Sequence, residues 1–254
     1  MLTIQPISGM PLVSQGDDLG MIITDLCRKS AIHVAEGDIF VLAQKIVSKS
    51  EGRLVNLTQI DASPAAIQLA QETGKDPRFV ELVLRESKSV LRKRAGVLIV
   101  EHNLGFICAN AGIDHSNVKG SWGDPADWVL LLPENPDRSA DTIRRRLQAL
   151  FGFRLGVLVI DSHGRAWRMG TVGVAIGISG IPGLVDLRGK EDLFGYRLQI
   201  TQVAAADELA AAASLMMGQA AEASPVVHVR GFPYPLRESA LGELIRPLDE
   251  DLFR

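Results

Sequence analysis

Three places in this 254-residue chain gather side chains that could do chemistry. Asp114 follows the apolar run GFICA inside NAGIDHSN, and Asp161 follows the apolar run of VLVIDSHGR, with Ser162 and Gly164 behind it. Carboxylates delivered by two different strands to the rim of one sheet can converge on a hard cation, which takes oxygen ligands and leaves room for substrate phosphates. The same residues also suit turn capping, Asp114 on the amides of Ser116 or Asn117 and Asp161 on those of His163 or Gly164. The third place is AQKIVSKSEGR, where Lys45 and Lys49 stand four apart beside Gln44, Ser48 and Ser50. On a helix the two ammonium groups share a face, and in a cleft they would neutralise phosphate oxygens. The alternative is a solvated edge with a charge pair to Glu51.

Two further features carry weaker signals. Arg165 and Arg168 flank Trp167; their forks suit carboxylate or phosphate, or simply shield an indole at the surface. The run MGTVGVAIGISGIPG places Gly170, Gly173, Gly177, Gly180 and Gly183 close together. It matches neither G-x-G-x-x-G nor the phosphate-loop pattern, and reads as close backbone packing or a strained path.

These side chains need a scaffold, and the apolar spacing supplies one. LTIQPI, Ile39 to Ala43, DWVLLLP, Leu155 to Ile160 and PVVHVRG read as strands, GVLIVEHNLGFICA as a hairpin turning at HNLG, and RLQITQVAAADELAAAASLMMGQ as a strand passing into a helix. Leu155 to Ile160 is apolar on both faces, which predicts a central strand ending at Asp161. Asp17 or Asp18 caps a helix with Leu19, Ile22, Ile23 and Leu26 on its buried face. Asp76-Pro77 opens another, with apolar positions running on to Val90 and Leu91. Ser139 starts an arginine-bearing helix, and Gly218 stops an alanine-rich one. Strands, hairpins and helices interleave irregularly. This predicts a mixed α/β (α+β) fold of irregular sheets with flanking helices, not a Rossmann or P-loop fold.

Composition narrows the function classes. A hydrophobic content of 46% supplies a substantial core, in one domain or two intimate subdomains with no boundary legible between them. Net charge is −3, and in and just before the densest basic stretch, RRRLQALFGFR, Ile143, Leu147, Leu150 and Phe151 fall at helical spacing. Its arginines read as the wet side of an amphipathic helix, so nucleic acid is not an expected partner. Cys27 and Cys108 read as buried thiols of a reducing compartment. No CxxC or HExxH occurs, MLTIQPISGMPLV lacks the features of a secretory signal, and no apolar run reaches the ~20 residues of a membrane span. A cytoplasmic protein with no membrane partner is expected.

In order and spacing, AQKIVSKSEGR, NAGIDHSNV, LPENPDRSA, VLVIDSHGRAWRMGTVGVAIGISGI and ADELAAAASLMMGQAAEASPVVHVRG resemble the γ-glutamyl ligases that build coenzyme F-420, a deazaflavin hydride carrier with a glutamate tail. The resemblance covers nearly the whole chain and implies the stand-alone form, a single ligase domain. It implies a GTP-dependent and divalent-metal-dependent amide ligase that joins L-glutamate to the deazaflavin precursor through an acyl phosphate, releasing GDP and phosphate. The implied metal-ligand positions are Asp114, Asp161, Ser162 and Gln219. Ser162 stands where the family usually has threonine, which keeps the hydroxyl. The implied nucleotide contacts are Gln44, Lys45, Lys49 and Asn117, with the loops Met10, Pro11, Leu12, Val13 and Met217, Gly218, Gln219, Ala220, Ala221, Glu222, Ala223, Ser224. From the residues alone, Gln219 and Glu222 read as exposed loop polars.

The resemblance further implies two Mn²⁺ or Mg²⁺ ions, an associated K⁺, and a homodimer. Lys45 and Lys49 would supply positive charge to the transferring phosphoryl group, and Arg165, Arg168 or His115 would hold the acidic precursor or the glutamate. Two other functions fit the same residues: a ligase for another amino acid and acidic cofactor, and a nucleotide-binding regulator without turnover. The regulator fits less well, since a pure binder needs no convergent metal ligands.

Overall fold

The structure, a computed structural model, describes residues 1–252. Its main sheet runs in the order β1 (Thr3–Pro6), β12 (Val226–Arg230), β2 (Ile39–Ala43), β8 (Gly156–Arg165) and β9 (Arg168–Ser179). β2 and β8 are parallel, with Ala43 opposite Ile160; the other neighbours are antiparallel. Successive side chains of a strand point to opposite faces, so a strand apolar at every position is one covered on both sides. Phe40, Leu42, Val157, Val159 and Ile176 pack against α1 (Leu19–Lys29) and α5 (Pro136–Phe151). Ile39, Val41, Leu158, Ile160, Val227 and Val229 pack against α6 (Ala205–Met217).

Between β2 and β8 the chain builds a further layer. It runs through α2 (Gln44–Ser50), β3 (Leu54–Asn56), α3 (Pro64–Thr73), α4 (Pro77–Arg85), β4 (Ser87–Arg94), β5 (Val97–His102), β6 (Ile107–Ala109) and β7 (Trp128–Leu130). Phe79, Val80, Val83, Leu98, Val100, Cys108 and Val129 form a core there, distinct from the two flanking the main sheet. Phe106 packs against this core and against the α1–α5 core as well. Small sheets β4-β5-β6, β3-β7 and β10 (Val185–Asp186) with β11 (Gln202–Val203) complete an α+β fold of the predicted class, with neither Rossmann nor P-loop topology. Among the described residues no helix is long and apolar enough to cross a membrane.

The caps follow from residue chemistry. Asp18 accepts from the Met21 amide, Ser63 precedes Pro64, Asp76 precedes Pro77, and Gly218 ends α6 at φ 73°. Three expectations need correction. α5 begins at Pro136, capped by Asn135, whose side chain accepts from the Arg138 amide; Ser139 lies one turn inside. α4 stops at Arg85, and Val90 and Leu91 belong to the bulged strand β4, where pairing with β5 outweighs their helical spacing. Asp161 does not end β8, which continues four residues further. Within RLQITQV the strand is the short β11, Gln202–Val203, and α6 follows it as expected.

The dense glycines serve packing. A β-carbon on Gly173 would meet the Ala210 carbonyl oxygen of α6 at 2.6 Å, and one on Gly177 would meet the Pro136 carbonyl of α5 at 2.4 Å. The two face opposite sides because β9 shifts register by a bulge where Val159 and Ile160 of β8 pair with it. Both helices thereby close directly onto the β9 backbone.

Candidate functional site

The parallel pair brings the candidate residues to one edge of the main sheet. At its carboxyl end Ala43 pairs with Ile160, so the next residues, Gln44 and Asp161, lie side by side as their strands leave the core. The antiparallel β12 and β1 bring two loops to the same end. The Ala43 amide donates to the Pro225 carbonyl, and the Ile7 amide to that of Val226. Loops 218–225 and 8–13 therefore border the same edge. Open sheets bind ligands in such crevices, beyond the carboxyl ends of their parallel strands.

Asp114 arrives from the other layer. Its amide and carbonyl bridge Leu130 at the end of β7. Asn110 and Ala111, just upstream, both adopt left-handed backbone, at φ 51° and 54°, a costly pair of conformations for residues with side chains. Gln44 then fixes the carboxylate. The Gln44 side chain is buried, and its Oε1 accepts from the Ser48 hydroxyl at 2.9 Å, leaving Nε2 to donate to Asp114 Oδ2 at 2.8 Å. Lys45 Nζ lies 3.5 Å from Asp114 Oδ1 and donates to Ser116 Oγ at 2.6 Å. One turn on, Lys49 Nζ donates to the Asn117 carbonyl at 2.8 Å. The two lysines thus share one face of α2, turned to the Asp114–Asn117 loop. They do not form a solvated edge with Glu51, which instead accepts from Ser139.

Burial pushes the Asp114 carboxyl up to about 6, against the lowering pull of Lys45, and the charge of Asp161 adds to the rise. Asp161 is thus close enough for its charge to be felt. The Lys49 ammonium is held below its usual range by burial and then by Lys45. Neither aspartate caps a turn: Asp114 accepts from Gln44, and Asp161 sits inside β8 opposite Val174.

Strand alternation divides the expected metal set. Asp161 pairs with Val174, whose side chain packs into the α1–α5 core, while Ser162 pairs with Gly173, which faces α6. Ser162 Oγ donates to Gln219 Oε1 at 3.0 Å, and Gln219 Nε2 donates to Ser214 Oγ at 3.0 Å. Asp114 with Asp161 and Ser162 with Gln219 therefore form two groups on opposite faces of β8. Among the described residues no three His, Cys, Asp or Glu side chains already form a cation cage.

The loops close around this centre. Asn117, itself left-handed at φ 56°, donates through Nδ2 to the Ala220 carbonyl at 3.1 Å, joining the Asp114 loop to Met217–Ser224. Glu222 accepts from the Ala220 amide at 2.7 Å, and Ser224 donates to the Glu222 carbonyl. Ala221 is exposed and Ala223 is left-handed at φ 53°. In the N-terminal loop Met10 and Val13 pack on the α1–α5 core while Pro11 and Leu12 are exposed, and the Gly16 amide donates to the Ser50 carbonyl.

Arg165 and Arg168 are not part of this cluster. They face each other across the tip of the β8–β9 hairpin, exposed, and Arg165 lies about 13 Å along the strand from Asp161. His115 stacks on Phe79 with centroids 5.3 Å apart, beside the ammonium of Lys75, also over that ring. Sequence reasoning overlooked His163, two residues beyond Asp161 and hence on its side of the strand, and Phe106 behind it, at 5.2 Å between ring centroids. The i, i+2 spacing within a strand was the available signal for His163.

A family model described as F420-0:Gamma-glutamyl ligase matches residues 9–231. The chain is 45% identical to a protein of Methanothermobacter thermautotrophicus over 98% of this chain and 97% of that protein. It is 45% identical to one of Methanopyrus kandleri over 100% and 98%, and 40% identical to one of Archaeoglobus fulgidus over 98% and 95%. Each of the three is named Coenzyme F420:L-glutamate ligase.

Proposed function

Because the chain belongs to the F420-0:gamma-glutamyl ligase family, we propose that it joins L-glutamate to the deazaflavin coenzyme precursor at the expense of GTP. What carries this reading is the meeting of Asp114 and Asp161 with Lys45 and Lys49 at the carboxyl end of the β2–β8 pair. A carboxylate does not condense with an amine in water until one of its oxygens becomes a leaving group. In the first step a precursor carboxylate oxygen bonds the γ-phosphorus of GTP and the bond from that phosphorus to the bridging oxygen breaks, releasing GDP. In the second the glutamate amine bonds the acyl carbon, phosphate leaves, and the amine gives up its proton.

The residues present fit a divalent cation. Two carboxylates, one of them pushed up to about 6, lie within each other's field, and the buried His163 Nε2 beside Asp161 lacks a hydrogen bond. Asp114 and Asp161 would hold Mn²⁺ or Mg²⁺, which would neutralise the charge on the triphosphate. Ser162 and Gln219 would supply oxygens for a second ion on the other face, and such oxygen donors would also suit K⁺. Lys45 and Lys49, on one face of α2, balance the phosphoryl oxygens. Gln44 holds Asp114 in place, and the Met10–Val13 and Met217–Ser224 loops border the nucleotide.

The expected result with enzyme, precursor, GTP, Mn²⁺ and L-glutamate is a precursor heavier by one or more glutamyl units, with GDP in matching amount. Mass spectrometry reads both, and GTP bound without any mass gain would favour the non-catalytic regulator.

We also propose a homodimer. The β8–β9 tip exposes Trp167 and Met169, and the β10–β11 excursion exposes Leu193, Phe194, Tyr196 and Ile200, more apolar surface than scattered single residues explain. Sedimentation equilibrium should give twice the 27.5 kDa chain mass; a single-chain mass at micromolar concentration rules the dimer out.

A further inference from the structure

Asp161 and His163 stand two apart on β8, so both project from the face that carries Val157 and Val159, while Ser162 projects toward α6. Their side chains are 12% and 11% exposed, and His163 Nε2 lies 3.0 Å from Asp161 Oδ2. Yet that nitrogen, shut off from solvent, makes no hydrogen bond. An N–H···O bond needs near-linear alignment, and this pair has the distance without the alignment.

Two donors of one octahedral cation show that combination. With bonds of about 2.1 Å at right angles, their atoms lie about 3.0 Å apart, each lone pair turned aside toward a shared centre. Leaving a buried polar atom unmatched is costly, so an unmatched nitrogen aimed past a carboxylate calls for a third body between them. The Phe106 ring, 5.2 Å from the imidazole and inclined at 50°, walls it in and restrains its rotation.

We propose that His163, through Nε2, is a ligand of the same divalent cation as Asp161. The inference rests on the cation site of the preceding reading. The imidazole binds as the neutral ring with its proton on Nδ1. It contributes a nitrogen on the face of β8 that the Ser162 hydroxyl does not reach. An imidazole among oxygen donors shifts preference from Mg²⁺, which favours oxygen, toward Mn²⁺ and its later neighbours in the series.

The test needs no turnover. Electron spin-echo spectroscopy of the nucleotide-free protein with Mn²⁺ is expected to show the ¹⁴N coupling of a bound imidazole. It should vanish in both His163→Phe and His163→Gln. The Mn²⁺ dissociation constant, from the signal of free Mn²⁺, should rise about 10- to 100-fold, and that for Mg²⁺ by competition less than about threefold. Melting in EDTA checks that the variants fold, and the glutamine variant keeps a polar side chain should the phenylalanine one fail.

Nitrogen coupling absent from wild type, or persisting in the variants, overturns the proposal, as does unchanged Mn²⁺ affinity. A wild-type protein that binds no Mn²⁺ overturns the cation site as well. Glutamyl transfer by wild type is scored separately by mass, so the ligase reading fails or stands on its own.

Discussion

Asp161→Asn is expected to lower GDP release on the order of 10³-fold or more while leaving the fold intact. The substitution keeps the size and shape of a side chain that is only 12% exposed, so the β8–β9 pairing and the Phe106 contact nearby have no reason to change. What disappears is a charge. That charge helps raise the Asp114 carboxyl and, after burial, lifts the Cys108 thiol, pushed up to about 12. The electrostatic work of Asp161 is thus repulsive in the bare protein and becomes attractive only toward a cation. Coupled detection of GDP, alongside circular dichroism melting, separates the two effects. Undiminished turnover would remove Asp161 from the chemistry.

Asp114→Asn is expected to show the opposite signs for function and stability. The folded-state carboxyl titrates near 6, above its ordinary value of 3.8, chiefly because of burial and in spite of Lys45. A carboxyl raised on folding binds its proton more tightly in the native state. It therefore costs no stability below about 4, costs progressively more as pH rises from about 4 to 6, and carries the full penalty above that. The penalty is about 1–3 kcal/mol. At pH 8, in EDTA, the asparagine variant should melt several degrees higher than wild type; at pH 4 the difference should be gone. Added Mn²⁺ should raise the melting temperature of wild type but not of the variant. A variant that melts lower at pH 8 and still responds to Mn²⁺ would contradict the assignment.

Much of this was legible in the chain itself. The all-apolar strands Ile39–Ala43 and Gly156–Ile160 declared a sheet covered on both faces, and Lys45 with Lys49 declared a helical face, because both patterns depend only on local periodicity. The caps at Asp18 and Asp76 were equally local. The errors came where a partner distant in sequence decides. Val90 and Leu91 fit a helix until β5 is there to pair with, and Asn135 wins over Ser139 because Pro136 pre-sets the first turn. Asp161 marks the end of an apolar run but not of a strand. β8 continues because β9 pairs with it as far as Arg168, and that extension puts Asp161 and Ser162 on opposite faces. The contact between Asp114 and Gln44 spans 70 residues, and no local pattern announces it.

The placement of β2 also bears on how the polypeptide comes into being. Its two neighbours are made long afterwards, β8 from residue 156 and β12 from residue 226. On the ribosome IFVLA therefore emerges with both of its edges unpaired, while the layer of residues 44–135 can assemble from nearer contacts. Closing such wide loops is slow, and a bare ribbon of this kind attracts copies of itself. The yield of soluble product should accordingly depend on holdase capacity and growth temperature more than on the stability of the finished molecule.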